Sequence, residues 1–191
     1  MTPAYEIRMH GIGGQGVAVA ADILGLAAVK DGRWAHSFPF FGTEIRGGKV
    51  AAYIRLSDQP IHTRSFIHNP DLVVAFADYV LGPDILTGFK KDTVLLINTT
   101  QALSDLPALP CSALKTIDAD GIAASIPGCR IANGPILGAI VAISQRLSLE
   151  SIIKAIQEKF TPEVASVTSQ AARVGFKIAC ESEGVYGASL V

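Results

Sequence analysis

The sequence predicts an α/β fold: a Rossmann-like, mostly parallel sheet with helices on both faces, in a single domain. Three observations predict it. A short apolar run leads into a glycine-rich turn and an Ala-rich stretch of helical length, MHGIGGQGVAVAADILGLAAVKDG at 9–32. The apolar run in DLVVAFA at 71–77 is continuous, as in a parallel strand buried on both faces, and KDTVLLINTT at 91–100 repeats the pattern between a charged lead and a polar end at Asn98-Thr99-Thr100. Strand-like and helix-like segments also alternate along the chain, which calls for a doubly wound sheet.

The elements follow in order. Residues 5–10 read as the first strand, 11–16 as a turn and 17–30 as a helix, ended by the stop signal Lys30-Asp31-Gly32. Residues 33–37 are a short second strand, and SFPFFGTEIRGGKV at 37–50 is a loop rich in glycine and aromatics. A strand is expected at 49–57, the buried strand at 71–77, a helix at 79–87 and another strand at 91–100. The stretch 101–113 holds Pro107 and Pro110 and reads as loop, and 114–120 as a short strand and the start of a helix. Helices follow at 135–146 and 149–160, the latter capped by Ser148 with Glu150 in its first turn. Thr161-Pro162-Glu163 starts a last one, with Ala165, Val167, Ala171, Val174 and Ile178 among its apolar positions. The domain is expected to span 1–182, with 183–191 as an extended C-terminal tail.

Composition excludes several function classes. Hydrophobic residues make up 49% of the chain, far too much for a disordered protein. Charged residues make up 17%, against about 25% in an ordinary soluble domain. Buried parallel strands or an extensive interface with other subunits would each account for that deficit. The net charge is -1, and no basic run interleaves with aromatics, so nucleic acid is not an expected partner. The apolar stretch at 17–29 is broken by Asp22 and too short to span a bilayer, and the N-terminus lacks a signal-peptide core, so a cytoplasmic location is expected. Cys111, Cys129 and Cys180 form no C-x-x-C pair and read as small buried hydrophobes, not as ligands of a zinc or iron–sulfur site.

Gly11, Gly13 and Gly16 make a G-x-G-x-x-G turn between strand and helix, with Gly14 and Gln15 inside it. Glycine permits positive φ and close approach of an anion, and the helix N-terminus favours phosphate. A nicotinamide dinucleotide also needs an acid about 20 residues on, at the end of the second strand. That count reaches His36-Ser37, where there is none. The missing acid disfavours a nicotinamide dinucleotide and favours another phosphate, or a turn that only closes tightly. The loop after it carries Phe38, Phe40 and Phe41 with Gly42, Glu44, Arg46, Gly47 and Gly48. So much aromatic surface on a loop points to a partner or a pocket wall, against the simpler reading of a small core beneath the loop. Glu44 and Arg46 can equally form an internal ion pair, and Asn133 can cap the helix that it opens or face the same cleft.

HGIGGQG followed by FPFFGTEIRGGKVAAYIRLSDQPI resembles the gamma subunit of the 2-oxoacid:acceptor oxidoreductases. This family includes pyruvate:ferredoxin, 2-oxoisovalerate, indolepyruvate and phenylglyoxylate enzymes. PDLVVAFA, LLINTT and NGPILGAI match its later landmarks in order, so the resemblance covers almost the whole chain. Two departures stand out: the family often has Tyr and Pro where this chain has Phe41 and Thr43. The more apolar loop suits a bulky or aromatic substrate.

The resemblance implies oxidative decarboxylation of a 2-oxoacid to an acyl-CoA by a complex. Its other parts are alpha, beta and ferredoxin-like delta subunits, with ferredoxin or another acceptor taking the electrons. Thiamine diphosphate, Mg2+ and [4Fe–4S] clusters are expected on those partners, with none held by this chain alone and coenzyme A as co-substrate. The isolated chain is expected to be inactive and to contribute no catalytic residue. Its expected share is to bind coenzyme A at Gly11, Gly13, Gly14, Gln15 and Gly16. Phe40, Phe41, Gly42, Glu44, Arg46, Gly47, Gly48 and Asn133 would form a pocket wall or interface. Two alternatives compete: a stand-alone NAD(P)-binding reductase, and an adaptor whose glycine loop binds nothing.

Overall fold

The computed structural model describes residues 3–42, 48–106, 109, 111, 113–181 and 185–186. Its sheet is built outward from β1 (Tyr5–Ile12), where Ile7 and Met9 turn to a helical layer and Arg8 and His10 to the other face. The described strands are β1, β2 (Trp34–Phe41), β3 (Lys49–Ser57), β4 (Leu72–Ala75), β5 (Val94–Asn98), β6 (Ala113–Ile117) and β7 (Val185–Tyr186). They lie in the order β2-β3-β1-β4-β5-β6-β7. The pairs β1–β4, β4–β5 and β5–β6 are parallel, whereas β2–β3, β3–β1 and β6–β7 are antiparallel. Five of the seven strands thus run the same way, and β2–β3 is a hairpin folded against the parallel half.

One face carries the long helices: α1 (Val17–Lys30), α3 (Ala119–Ala124), α4 (Asn133–Ser144), α5 (Leu149–Lys159) and α6 (Pro162–Glu181). The main core lies between them and Ile7, Met9, Ile54, Leu72, Val74 and Leu96. α4 packs closely on α6 through glycines, because Gly138 faces the Ala172 carbonyl and Gly175 faces Pro135. Ser148 caps α5, as expected, by accepting from Ser151 N at 3.1 Å. Asp31 at the end of α1 accepts in turn from Ser148 N at 2.7 Å, which ties the two helices together. The other face is covered by short pieces. The single turn α2 (Pro83–Leu86) places Ile85 over Val73, Ala75, Leu95 and Ile97. β4 is buried throughout because it is covered on both sides.

Three expectations need correction. Of the cysteines read as buried, Cys180 is exposed and Cys111 and Cys129 are half-buried. The helix expected at 79–87 is instead a 3₁₀ turn (Asp78–Val80) followed by α2. Gly82-Pro83 splits the run, since Pro83 lacks an N–H and would collide with the carbonyl of a preceding helical turn. The phenylalanines expected in a loop stand on β2, which extends to Phe41 and pairs with β3 over its whole length. Pro39 is accommodated because β2 is an edge strand, so no neighbour needs its N–H. Of the C-terminal tail, only Val185 and Tyr186 are described, as β7 against β6.

Candidate functional site at the switch point of the sheet

The chain leaves β1 through α1 to the β2–β3 side, while β4 lies on the other side of β1. In open α/β sheets, ligands sit in the crevice beyond the strand ends at such a reversal. Gly11–Gly16 forms one lip of that crevice and Phe76–Tyr79 the other. Gln15 joins them. Its Oε1 accepts from Ile12 N at 2.8 Å, and its Nε2 donates to the Phe76 carbonyl at 3.4 Å and the Tyr79 hydroxyl at 3.1 Å. Gly11 makes room for this amide: a Cβ there would stand 2.7 Å from Gln15 Oε1 and 2.6 Å from Val17. Gly11 and Gln15 thus shape the turn from within.

Gly14 and Gly16 hold the left-handed conformation, with φ of 98° and 80°. A Cβ on Gly14 would meet nothing within 4 Å, so only its backbone demands glycine. Gly16 is the N-cap of α1. It offers no side-chain acceptor, and no acid stands in the first turn. The first N–H groups of a helix have no intrahelical partner, and the helix dipole makes that end positive.

Asn133 stands beside this bare terminus. It does not cap α4: the N-cap is Ala132, and Asn133 is the first helical residue. It is 1% exposed, and neither Oδ1 nor Nδ2 has a hydrogen-bond partner among the described residues. Its Nδ2 lies 3.2 Å from where a Cβ on Gly16 would be. A buried amide with both ends unpaired costs about 1–3 kcal/mol per group, so its retention beside a helix N-terminus points to a polar ligand.

The two sequence motifs meet through the backbone. Gly13 N donates to the Gly48 carbonyl at 3.0 Å, while within the hairpin Gly42 N donates to the Lys49 carbonyl at 3.0 Å. Phe40, Phe41 and Gly42 line a cavity on the helix-poor face, which they share with Gly11. Glu44, Arg46 and Gly47 lie outside the described residues.

Sequence reasoning missed part of the crevice. Asn98, read only as a polar strand end, is buried; it donates to the Phe76 carbonyl at 3.0 Å and to Asp120 at 2.8 Å, and accepts from Ala119 N at 2.9 Å. Asp78 accepts from the Thr99 hydroxyl at 2.8 Å and from Gln101 at 2.9 Å. The available signal was a polar residue closing an otherwise apolar strand. Tyr79 carried no signal, because its partner is 64 residues away.

Burial, helped by the nearby Arg8 charge, pushes His10 down from 6.5 to about 4. The unfolded chain therefore takes up the proton first. Stability is fully present above about pH 6.5 and falls as the pH drops toward 4, by on the order of 2–3 kcal/mol at about 1.36 kcal/mol per unit. Urea unfolding at about pH 7.5 and 4.5 should show this loss in the wild type and a clearly smaller one in His10→Gln, where His36, also held down by burial, still contributes. An equal loss in both would assign the acid sensitivity to other groups.

Among the described residues, no group of three or more His, Cys, Asp or Glu stands close enough to hold a metal ion. None of their helices is long and apolar enough to cross a membrane. The topology also opposes the nicotinamide alternative. The strand beside β1 on the α1 side is the antiparallel β3, so the end of β2 is two strands from the glycine turn. The position from which an acid would reach a ribose is not formed there.

The family model described as pyruvate ferredoxin/flavodoxin oxidoreductase matches residues 6–178. The pyruvate synthase subunit PorC of Methanothermobacter marburgensis is 40% identical over 173 residues, which is 90% of this chain and 96% of that protein. The pyruvate/ketoisovalerate oxidoreductases common subunit gamma of Thermococcus kodakarensis is 39% identical over 176 residues, 90% of this chain and 95% of that one. The crystal structure of the pyruvate oxidoreductase subunit PORC from Thermotoga maritima superposes with a TM-score of 0.81 at 30% identity, covering 92% of this chain and 97% of that one. The chain belongs to the pyruvate ferredoxin/flavodoxin oxidoreductase family, as the gamma subunit of a 2-oxoacid oxidoreductase complex.

Proposed function

We propose that this subunit binds coenzyme A for its complex and helps to close the active site, while partner subunits carry the redox chemistry. The observation that carries this reading is the bare N-terminus of α1 beside the unpaired, buried Asn133. A phosphate of coenzyme A would accept N–H bonds from the start of α1, and Asn133 would donate through Nδ2. Such an anion gains from the helix terminus and from hydrogen bonds that strengthen with its charge. The bond from Gly13 to Gly48 couples the glycine turn to the β2–β3 hairpin, so Phe40 to Gly48 can wall the entrance beside it. Glu44, Arg46 and Gly47 belong to this wall in the proposal. Thiamine diphosphate, Mg2+ and [4Fe–4S] clusters would sit on alpha, beta and delta subunits, with ferredoxin or another acceptor receiving the electrons. The isolated chain would then be inactive, and the complex cytoplasmic.

Gly14 supplies the test. Gly14→Val has room for its side chain but strains a positive φ, at a cost of about 1–2 kcal/mol. Misplacing the loop backbone should raise the KM for coenzyme A of the purified complex by about tenfold or more, with assembly and the KM for the 2-oxoacid unchanged. An unchanged coenzyme A KM would leave the loop as a turn only. The hairpin wall has its own test. Phe41→Ala should lower the preference for aromatic over small 2-oxoacids by about tenfold in kcat/KM. Unchanged selectivity would remove Phe41 from the substrate path.

A further inference from the structure

The helix-poor face holds a hollow whose hairpin side is Phe40, Phe41 and Gly42, the wall of the proposed function; a ligand of its own for the hollow rests on that reading of the wall. Its floor follows from strand register. His10 is opposite Ala51, which is opposite Phe40. Arg8 is opposite Tyr53, which is opposite Phe38. The small Ala51 between a ring and an imidazole leaves a depression. With Val80 and α2 as the far wall, it becomes a cavity of about 490 Å³. Ligand pockets are of this size, mostly apolar with a few converging polar groups.

The polar groups at its base are unusual. Arg8 is 6% exposed, and its guanidinium has no carboxylate partner among the described residues. It donates to the carbonyls of Ile67, Ile85 and Thr87 at 3.3, 2.6 and 2.8 Å, while Nε has no acceptor among the described residues. Two residues along the same face, His10 Nε2 is also buried and has no partner among the described residues. At the mouth, Lys49 and Asp84 pair at 3.6 Å and cancel. The cavity therefore holds one net positive charge and two buried nitrogen sites beneath aromatic and aliphatic walls. A buried cation satisfied only by carbonyls lacks its counter-charge, and buried charges are normally paired.

We propose that this cavity is a binding site for a small carboxylate with a flat, apolar body. The carboxylate would lie against Arg8 Nε and His10 Nε2, and the body between Phe40 and the wall of Val80 and Pro83. The carboxylate end is distinct from the N-terminus of α1, although Gly11 and the hairpin wall of Phe40 to Gly42 border the cavity.

Benzoate is the probe, with benzyl alcohol as its uncharged counterpart and acetate as the headgroup without a body. Binding is followed on the full chain and on the purified complex by calorimetry and by the His10 imidazole nitrogen signals. Benzoate should bind at least tenfold more tightly than either control and shift the His10 signals. Ala51→Leu, which fills the hollow, should weaken benzoate at least tenfold without changing affinity for coenzyme A. Gly14→Val should do the reverse, so the two readings fail separately. Folding of Ala51→Leu is checked by its melting temperature. If it does not fold, the benzoate to benzyl alcohol ratio and the His10 shift in the wild type decide alone. Equal binding of benzoate and benzyl alcohol, or no His10 shift, overturns the proposal. So does benzoate binding to the free chain but not to the complex, since a partner subunit then fills the cavity.

Discussion

Asn133→Leu is expected to stabilise the free chain and to weaken coenzyme A binding in the complex. The two effects share one cause. Asn133 is buried on the first turn of α4 with neither amide atom paired, beside Gly16 and Ile131. A leucine of similar shape removes the unsatisfied groups and adds apolar contact, worth about 1 kcal/mol or more in urea unfolding. The same change removes a donor to the bound phosphate. A hydrogen bond to a charged group contributes about 1.5–3 kcal/mol, so affinity should fall roughly tenfold to a hundredfold. Opposite signs for stability and affinity are the mark of a residue kept for binding. Destabilisation with unchanged affinity would instead show that a buried water satisfies the amide and that its role is structural.

The largest expected loss of stability is at the α4–α6 contact. A Cβ on Gly138 would stand 2.0 Å from the Ala172 carbonyl oxygen and 2.6 Å from Phe176 N. On Gly175 it would stand 2.1 Å from the Pro135 carbonyl oxygen. These neighbours are backbone atoms of another helix, so relief requires the helices to separate. Gly→Ala inside a free helix stabilises by about 1 kcal/mol. Here Gly138→Ala should reverse that sign and destabilise by about 3 kcal/mol, near the upper end for an overpacked core. Gly25→Ala in α1 is the control, since its new Cβ meets only the movable Ser37 hydroxyl at 3.2 Å, and its effect should be small. Denaturant midpoints of the three chains decide the matter. A neutral Gly138→Ala would mean that α4 and α6 can move apart freely, and Asn133 would then have no fixed place.

Much of the fold was legible because its signals are local. The glycine turn and α1 follow from HGIGGQG and an Ala-rich run, and Ser148 announces α5 through its own hydroxyl. Continuous apolar runs announce β4 and most of β5, since burial on both faces favours apolar side chains, and only Asn98 closes β5 with a polar one. The family also showed in ordered motifs that no single periodicity would distinguish. Less legible was the path of β2, since its pairing partner is chosen by tertiary contact and edge position, which also admits Pro39. Gly82-Pro83 could have been read as a break, but the apolar run around it hid the signal.

The sequence by itself determined an α/β chain, the turn after the first strand and the two motifs that place it in its family. Only the tertiary structure decided what those motifs touch. Gln15 reaches Tyr79 across 64 residues, Gly13 meets Gly48 through the backbone, and Asn133 stands unpaired at the start of α1. It also placed Arg8 and His10 beneath a hollow left by Ala51. The physical reason is that turns, caps and apolar runs are set by residues within a few positions of one another. A binding site is set by strand order and helix packing, which bring together groups whose spacing along the chain carries no trace of the contact.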